Sequence, residues 1–212
     1  MVNREIPKWA SRYLKHDSFA EINAAVKNAE THTSGEIVPM VVRRSAVTGH
    51  VGSIALMGTA FGIYVMLQSA DRIQTLAGAL LVVACAAAFV LPAMYLRRWT
   101  SPRDLAAQVH RRAQLEFLQA GLNATTGKTG ILLFVSLDEH RVVVLADKAI
   151  SNKLPPETWE GVVATILAGI KAGNLAKGLC LAVGDCSKLL APHFPRDLED
   201  RNELKDSLIL AE

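Results

Sequence analysis

Residues Glu36–His50 read EIVPMVVRRSAVTGH. The first seven, Glu36–Val42, form an apolar run with β-branched side chains, as expected of a strand covered on both faces. Pro39 inside that run points to a sheet edge or a bulge, because proline cannot donate to a ladder. The run then meets Arg43–Arg44 and opens onto a long uncharged tract. No charged residue occurs in 51–68 (VGSIALMGTAFGIYVMLQ) or in 73–96 (IQTLAGALLVVACAAAFVLPAMYL). Crossing a hydrocarbon core of about 30 Å takes about 20 helical residues. The two windows therefore predict a transmembrane helical hairpin over 49–96, with helices at about 51–68 and 73–96.

The flanks of that hairpin set its expected orientation. Arg43 and Arg44 precede it, Arg97, Arg98 and Arg103 follow it, and the tip holds only Arg72 beside Asp71. The positive-inside tendency places both flanking segments in the cytoplasm of a multi-pass inner-membrane protein, with the lipid bilayer as one partner. Gly58-x-x-x-Gly62 supplies a flat face for close approach of the second helix.

Overall composition narrows the function class. Half of the 212 residues are hydrophobic, 20% are charged and the net charge is +3. That charge is too small, and its basic residues too scattered, for a nucleic-acid partner. Cys180 and Cys186 are six apart and lack zinc spacing, while Cys85 lies in the second apolar window. The segment 1–16 is charged and has no secretory core; it reads either as an interfacial helix, with Trp9 and Tyr13 one turn apart, or as an extension packed on the domain.

On either side of the hairpin the chain alternates helix and strand. Asp17 is the expected N-cap of a helix with Phe19, Ile22, Val26 and Ala29 inward, ended by Ser34–Gly35. Ser101-Pro102-Arg103-Asp104 starts a second helix, striped with Leu105, Val109, Ala113, Phe117 and Ala120 and closed by Gly121. Residues 130–137 (GILLFVSL) and 141–146 (RVVVLA) read as strands around an Asp138–His140 turn. Helices follow over 157–171 and from Asn174 to Pro192, and 196–212 reads as a charged, loosely held tail. A helix between the first two strands favours parallel pairing. Residues 17–44 and 101–195 thus form the two parts of one α/β domain.

Three stretches carry a family likeness: Thr33-Ser-Gly-Glu-Ile-Val38 after an amphipathic helix, Thr129-Gly-Ile-Leu-Leu-Phe-Val-Ser136, and Val142-Val-Val-Leu-Ala-Asp147. Together they resemble the TPM domain family, and Arg201-Asn-Glu-Leu204 is similar to its uncharacterised, membrane-anchored bacterial subgroup. The resemblance implies a three-layer α/β/α sandwich of the TPM type, here interrupted by the inserted hairpin. It also implies accessory roles at membranes, a disputed acid phosphatase activity and, in some members, calcium held by acidic loops. This chain departs from that pattern. Gly127-Lys-Thr-Gly130 has no carboxylate before the second strand, and Ala146-Asp-Lys-Ala149 replaces a glycine-rich loop. Asp147, with Glu36 as a second, is left as the weak metal candidate, against the six to eight oxygens that calcium takes.

Familiar catalytic arrangements are missing. Five residues rather than four separate Gly121 from Gly127-Lys128-Thr129, which follows a helix instead of a strand, so it is not a P-loop. The six histidines are scattered, and no GxSxG is present. Asp138 and Glu139 adjoin at a turn, where solvated charges are routine. The expected function is a non-catalytic binding or assembly module at the inner-membrane surface, working with another membrane protein and without a catalytic residue or organic cofactor. The alternative is a divalent-metal-assisted phosphatase using Asp147 with Glu36 or Asp138.

Overall fold

The computed structural model describes residues 6–46, 57–58, 60–62, 64, 101–196, 203–204 and 207–211. The chain divides into two compact units, one made of 1–45 with 106–212 and the other of 46–105. In the second unit, Met57, Phe61 and Tyr64 are helical and exposed.

The first unit is a mixed α/β fold around a four-stranded sheet. Its elements are α1 (His16–Glu30), β1 (Glu36–Val42), α2 (Pro102–Gln119), β2 (Gly130–Ser136), β3 (Arg141–Ala146), a short α3 (Lys148–Ser151), α4 (Glu160–Lys171), α5 (Leu175–Leu190) and β4 (Ile209–Ala211). The sheet order is β3-β2-β1-β4. β1 runs parallel to both β2 and β4, whereas β2 and β3 are antiparallel. The two central strands are buried at all seven positions each, which explains their unbroken apolar sequence.

Alternation along those strands feeds two cores. Ile37 and Val41 of β1, with Ile131, Leu133 and Val135 of β2, face α1, α4 and α5. Val38, Met40 and Val42, with Leu132 and Phe134, face α2 and the turn at Leu122. Pro39 is tolerated because β4 pairs only with Met40–Val42, so the flank of β1 turned toward β4 is open at Pro39 among the described residues.

The expected inserted transmembrane hairpin is not shown. Among the described residues no helix is long and apolar enough to cross a membrane. Among the described residues α4 is the most apolar helix, yet its 12 residues span roughly 18 Å, and the longer α2 carries Arg103, Asp104, Arg111, Arg112 and Glu116. Apart from a few positions between 57 and 64, the windows 51–68 and 73–96 lie outside the described residues. The parallel β1–β2 link is made with α2 in the crossover, as parallel pairing requires.

Several local readings shift by a residue or change character. α1 starts at His16, where the Ser18 hydroxyl accepts from the Lys15 N–H at 3.0 Å; Asp17 sits in the first turn instead of capping it. The Ser101 hydroxyl accepts from the Arg103 N–H, and Gly121 takes the left-handed conformation that ends α2. Asn174 caps α5 by accepting from the Lys177 N–H. The segment 7–15 lies on the domain: Ala10 and Leu14 are buried, and Trp9 and Tyr13 pack against the first core. The tail is held as well, with Leu208 buried and Ile209–Ala211 forming β4.

The α1–α5 packing can be read out chemically. Burial pushes the Cys186 thiol far above its ordinary range, with the Asp185 charge adding to the effect. Cys180 is raised less, first by burial and then by the nearby Glu21 carboxylate. Maleimide at pH 8 is expected to modify Cys186 at least roughly a hundredfold more slowly in the folded protein than in urea, with Cys180 intermediate. Peptide mass spectrometry checks this; equal rates at both cysteines would contradict the packing. An unfolded thiol ionises near 9.0 while buried Cys186 stays protonated, so this contribution to stability is present below that pH and lost as pH rises above it.

Candidate functional site

The two candidate ligands fall at one end of the sheet, where β1 and β2 begin and β3 ends. Glu36 pairs in register with Gly130, and Asp147 donates its N–H to the Gly130 carbonyl at 2.9 Å. Glu36 and Asp147 therefore flank Gly130 from opposite sides, with their backbones about two strand spacings, roughly 10 Å, apart. Between them the sheet end is closed. A Cβ on Gly130 would lie 2.4 Å from the Leu122 carbonyl oxygen, so glycine is what lets the Leu122 turn seat there.

Each of these carboxylates serves the backbone. Asp147 is the N-cap of α3, its Oδ1 accepting from the Lys148 N–H at 2.7 Å. Glu36 Oε1 accepts from the Glu203 N–H at 3.2 Å, while the Glu203 carboxylate accepts from the Thr126 N–H at 3.0 and 3.2 Å. Glu36 thus anchors the segment leading to β4. Both side chains are 7% exposed, neither solvated nor gathered in an open cleft. The second oxygen of Asp147, Oδ2, is buried and has no hydrogen-bond partner among the described residues.

Asp138 belongs to the other end of the sheet. The seven-residue length of β2 separates it from Asp147 by roughly 20 Å, which removes it as a co-ligand. It pairs instead with Arg44, Nε to Oδ2 at 3.4 Å, both groups partly exposed.

Its neighbour Glu139 is the residue that sequence reasoning misplaced. Glu139 is 6% exposed, not a solvated turn charge. Its Oε2 accepts from the Ser45 N–H at 3.0 Å and from the Ser136 hydroxyl. Because Ser136 spends its proton on Glu139, the Ser45 hydroxyl is the donor in the 2.7 Å Ser45–Ser136 contact. Ser136 is fully buried and Ser45 nearly so. The cluster locks the end of β1 to the β2–β3 turn. In sequence only the polar Ser136 at the end of an apolar strand hinted at it.

Among the described residues, no group of three His, Cys, Asp or Glu side chains is placed to hold a metal ion. Asp147 offers one buried oxygen not engaged in a hydrogen bond among the described residues. The donor set falls well short of what calcium takes.

Residues 93–189 match the model of the TPM domain, a stretch that takes in α2, β2, β3, α3, α4 and nearly all of α5. No curated protein matches this chain. Among solved structures, the NMR structure of BA42 protein from the psychrophilic bacterium Bizionia argentinensis sp. nov. is similar, with a TM-score of 0.62 and 19% identity over 100% of both chains. At that identity the likeness is one of fold. The likeness to the TPM domain thus covers residues 93–189, and the fold likeness covers the whole chain.

Proposed function

We propose that this protein is a non-catalytic binding or assembly module that uses its TPM domain to hold another protein. One observation carries the reading: the carboxylates best placed for metal chemistry, Asp147 and Glu36, each commit an oxygen to a backbone N–H that keeps the fold together. A metal-assisted hydrolase needs its anionic oxygens converging on the ion. These two are roughly 10 Å apart at the backbone with the Leu122 turn seated between them.

The competing reading, a divalent-metal-assisted phosphatase, is favoured by the buried Asp147 Oδ2, which lacks a hydrogen-bond partner among the described residues. Asp147→Asn separates the two, because asparagine caps a helix as well as aspartate does but is a poorer cation ligand. Millimolar calcium or magnesium is expected to move the melting temperature by no more than about 1 °C in either protein. p-Nitrophenyl phosphate is expected to stay uncleaved with either metal. Saturation at about a hundred times Kd adds about 2.7 kcal/mol, or roughly 5–10 °C for a chain of this size. A rise of that order in the parent, lost in Asp147→Asn and accompanied by metal-dependent cleavage of p-nitrophenyl phosphate, would establish the phosphatase reading instead.

A further inference from the structure

α4 is the most apolar helix among the described residues, and a helix apolar all round is ordinarily covered all round. This one is covered on a single side, where Val162, Ile166 and Ile170 enter the first core. Its opposite face carries Glu160, Gly161, Ala164, Ala168 and Lys171, all exposed, with Leu167 half-buried beside them. Between its two charged ends this face has no polar side chain. Thr165, at the margin, turns its hydroxyl to the Gly161 carbonyl at 3.0 Å. An apolar groove runs alongside, in which Val142 and Val144 lie next to Pro156, Trp159, Val163 and Leu167.

The charges at the two ends are opposite and uncommitted. Glu160, with exposed Glu157 three residues before it, marks the start of the helix, and Lys171 marks its end. The ion pairs among the described residues are Arg44–Asp138, Arg112–Glu116 and Lys188–Asp185, and neither Glu160 nor Lys171 belongs to one.

We infer that α4 is a self-association face, packing antiparallel against α4 of a second copy about a two-fold axis between Thr165 and Ile166. A two-fold interface makes each contact twice, so the face must complement itself. Here it does. Glu160 and Lys171 are centred on the same point of the helix as Ala164 and Leu167, and one axis therefore serves both pairs. It sets Glu160 of each copy beside Lys171 of the other, and Leu167 of each beside the smaller Ala164 of the other. Opposite charges thus close both ends of an apolar contact, and each copy covers the groove of the other. A bilayer is a poor occupant, because Glu157 and Glu160 would stand against anionic headgroups. A helix from another protein also fits an apolar groove, but it would need its own charges in this order, and a second copy already carries them.

Sedimentation equilibrium on the purified full chain tests this. The expected species has twice the monomer mass of 22.9 kDa. Ala164→Glu sets a charge against Leu167 of the other copy. Because Ala164 is exposed and helical, this variant is expected to be a monomer with unchanged circular dichroism. Glu160→Lys and Lys171→Glu each replace two attractive contacts by two repulsive ones, and each is expected to raise the dimer dissociation constant about tenfold. Mixed together, these two variants regain both attractive contacts, so the mixture is expected to form a heterodimer as tight as the parent dimer. Should Ala164→Glu fail to fold, the charge variants decide. A parent chain monomeric at about 100 μM overturns the inference, as does a dimer that survives Ala164→Glu. Charge variants that each dimerise like the parent overturn it too, and so does a mixture no tighter than either variant alone.

Discussion

Gly169→Val is expected to destabilise the protein by about 3 kcal/mol, visible as a lower urea midpoint at unchanged slope. α4 and α5 cross with backbone against backbone. A Cβ on Gly169 would lie 2.6 Å from Gly178 Cα, 3.0 Å from the Asn174 carbonyl oxygen and 3.1 Å from the Gly178 nitrogen. None of these atoms belongs to a side chain able to swing away, so valine must force the helices apart. That would loosen Ile166, Leu175 and Leu179, all fully buried in the first core. Against a typical total of 5–15 kcal/mol, such a loss is large. Gly161, near the start of α4 with open space where a Cβ would go, is the control, and alanine there is expected to be neutral or mildly stabilising. A Gly169→Val variant within about 1 kcal/mol of the parent would mean that the helices do not touch at this point.

Phe134→Ala is expected to cost about 4 kcal/mol, the upper part of the range for a large buried side chain. Phe134 has no exposed surface and is the largest fully buried side chain among the described residues. It lies in the middle of β2 and fills the core beneath α2, among Val38, Met40, Val109, Ala113 and Leu132. α2 is short of other apolar anchors: only Val109 and Ala113 are buried apolar residues within it. Losing the ring therefore leaves a cavity that few neighbours can collapse into. Chemical denaturation reads the difference, and a loss under about 1.5 kcal/mol would mean that α2 does not cover this face.

The sequence made these two strands plain for a physical reason. β1 and β2 are covered on both sides, so apart from Glu36 and Ser136 at their ends the positions are apolar and the signal is local and continuous. Gly121 and Asn174 were equally readable, because helix ends are decided by the residue that fills them. What escaped depends on distant partners. β4 is three residues long and exists through pairing with Met40–Val42, far away in the chain. Glu139 is buried because the Ser45 N–H, 94 residues earlier, comes to meet it, and no local pattern announces that. The inserted hairpin is not shown by any helix among the described residues, and a window's hydrophobicity is a property of composition, not of a helix.

The candidate site follows the same division. Asp147 stood out as a carboxylate after a strand, and it does lie at a sheet end, but as the cap of α3. That short helix left no period in the sequence, being only four residues long. Glu36 was visible at the head of β1, yet its engagement with the Glu203 N–H spans 167 residues.

The placement of β4 has a consequence for how the chain comes into being. β1 is synthesised before its outer neighbour β4, with α2 to α5 between them in the chain. Until β4 emerges, its pairing positions on β1, Met40–Val42, lack that partner, and a contact of such long sequence separation slows closure. Nascent chains halted short of β4 should therefore be a species that chaperones hold.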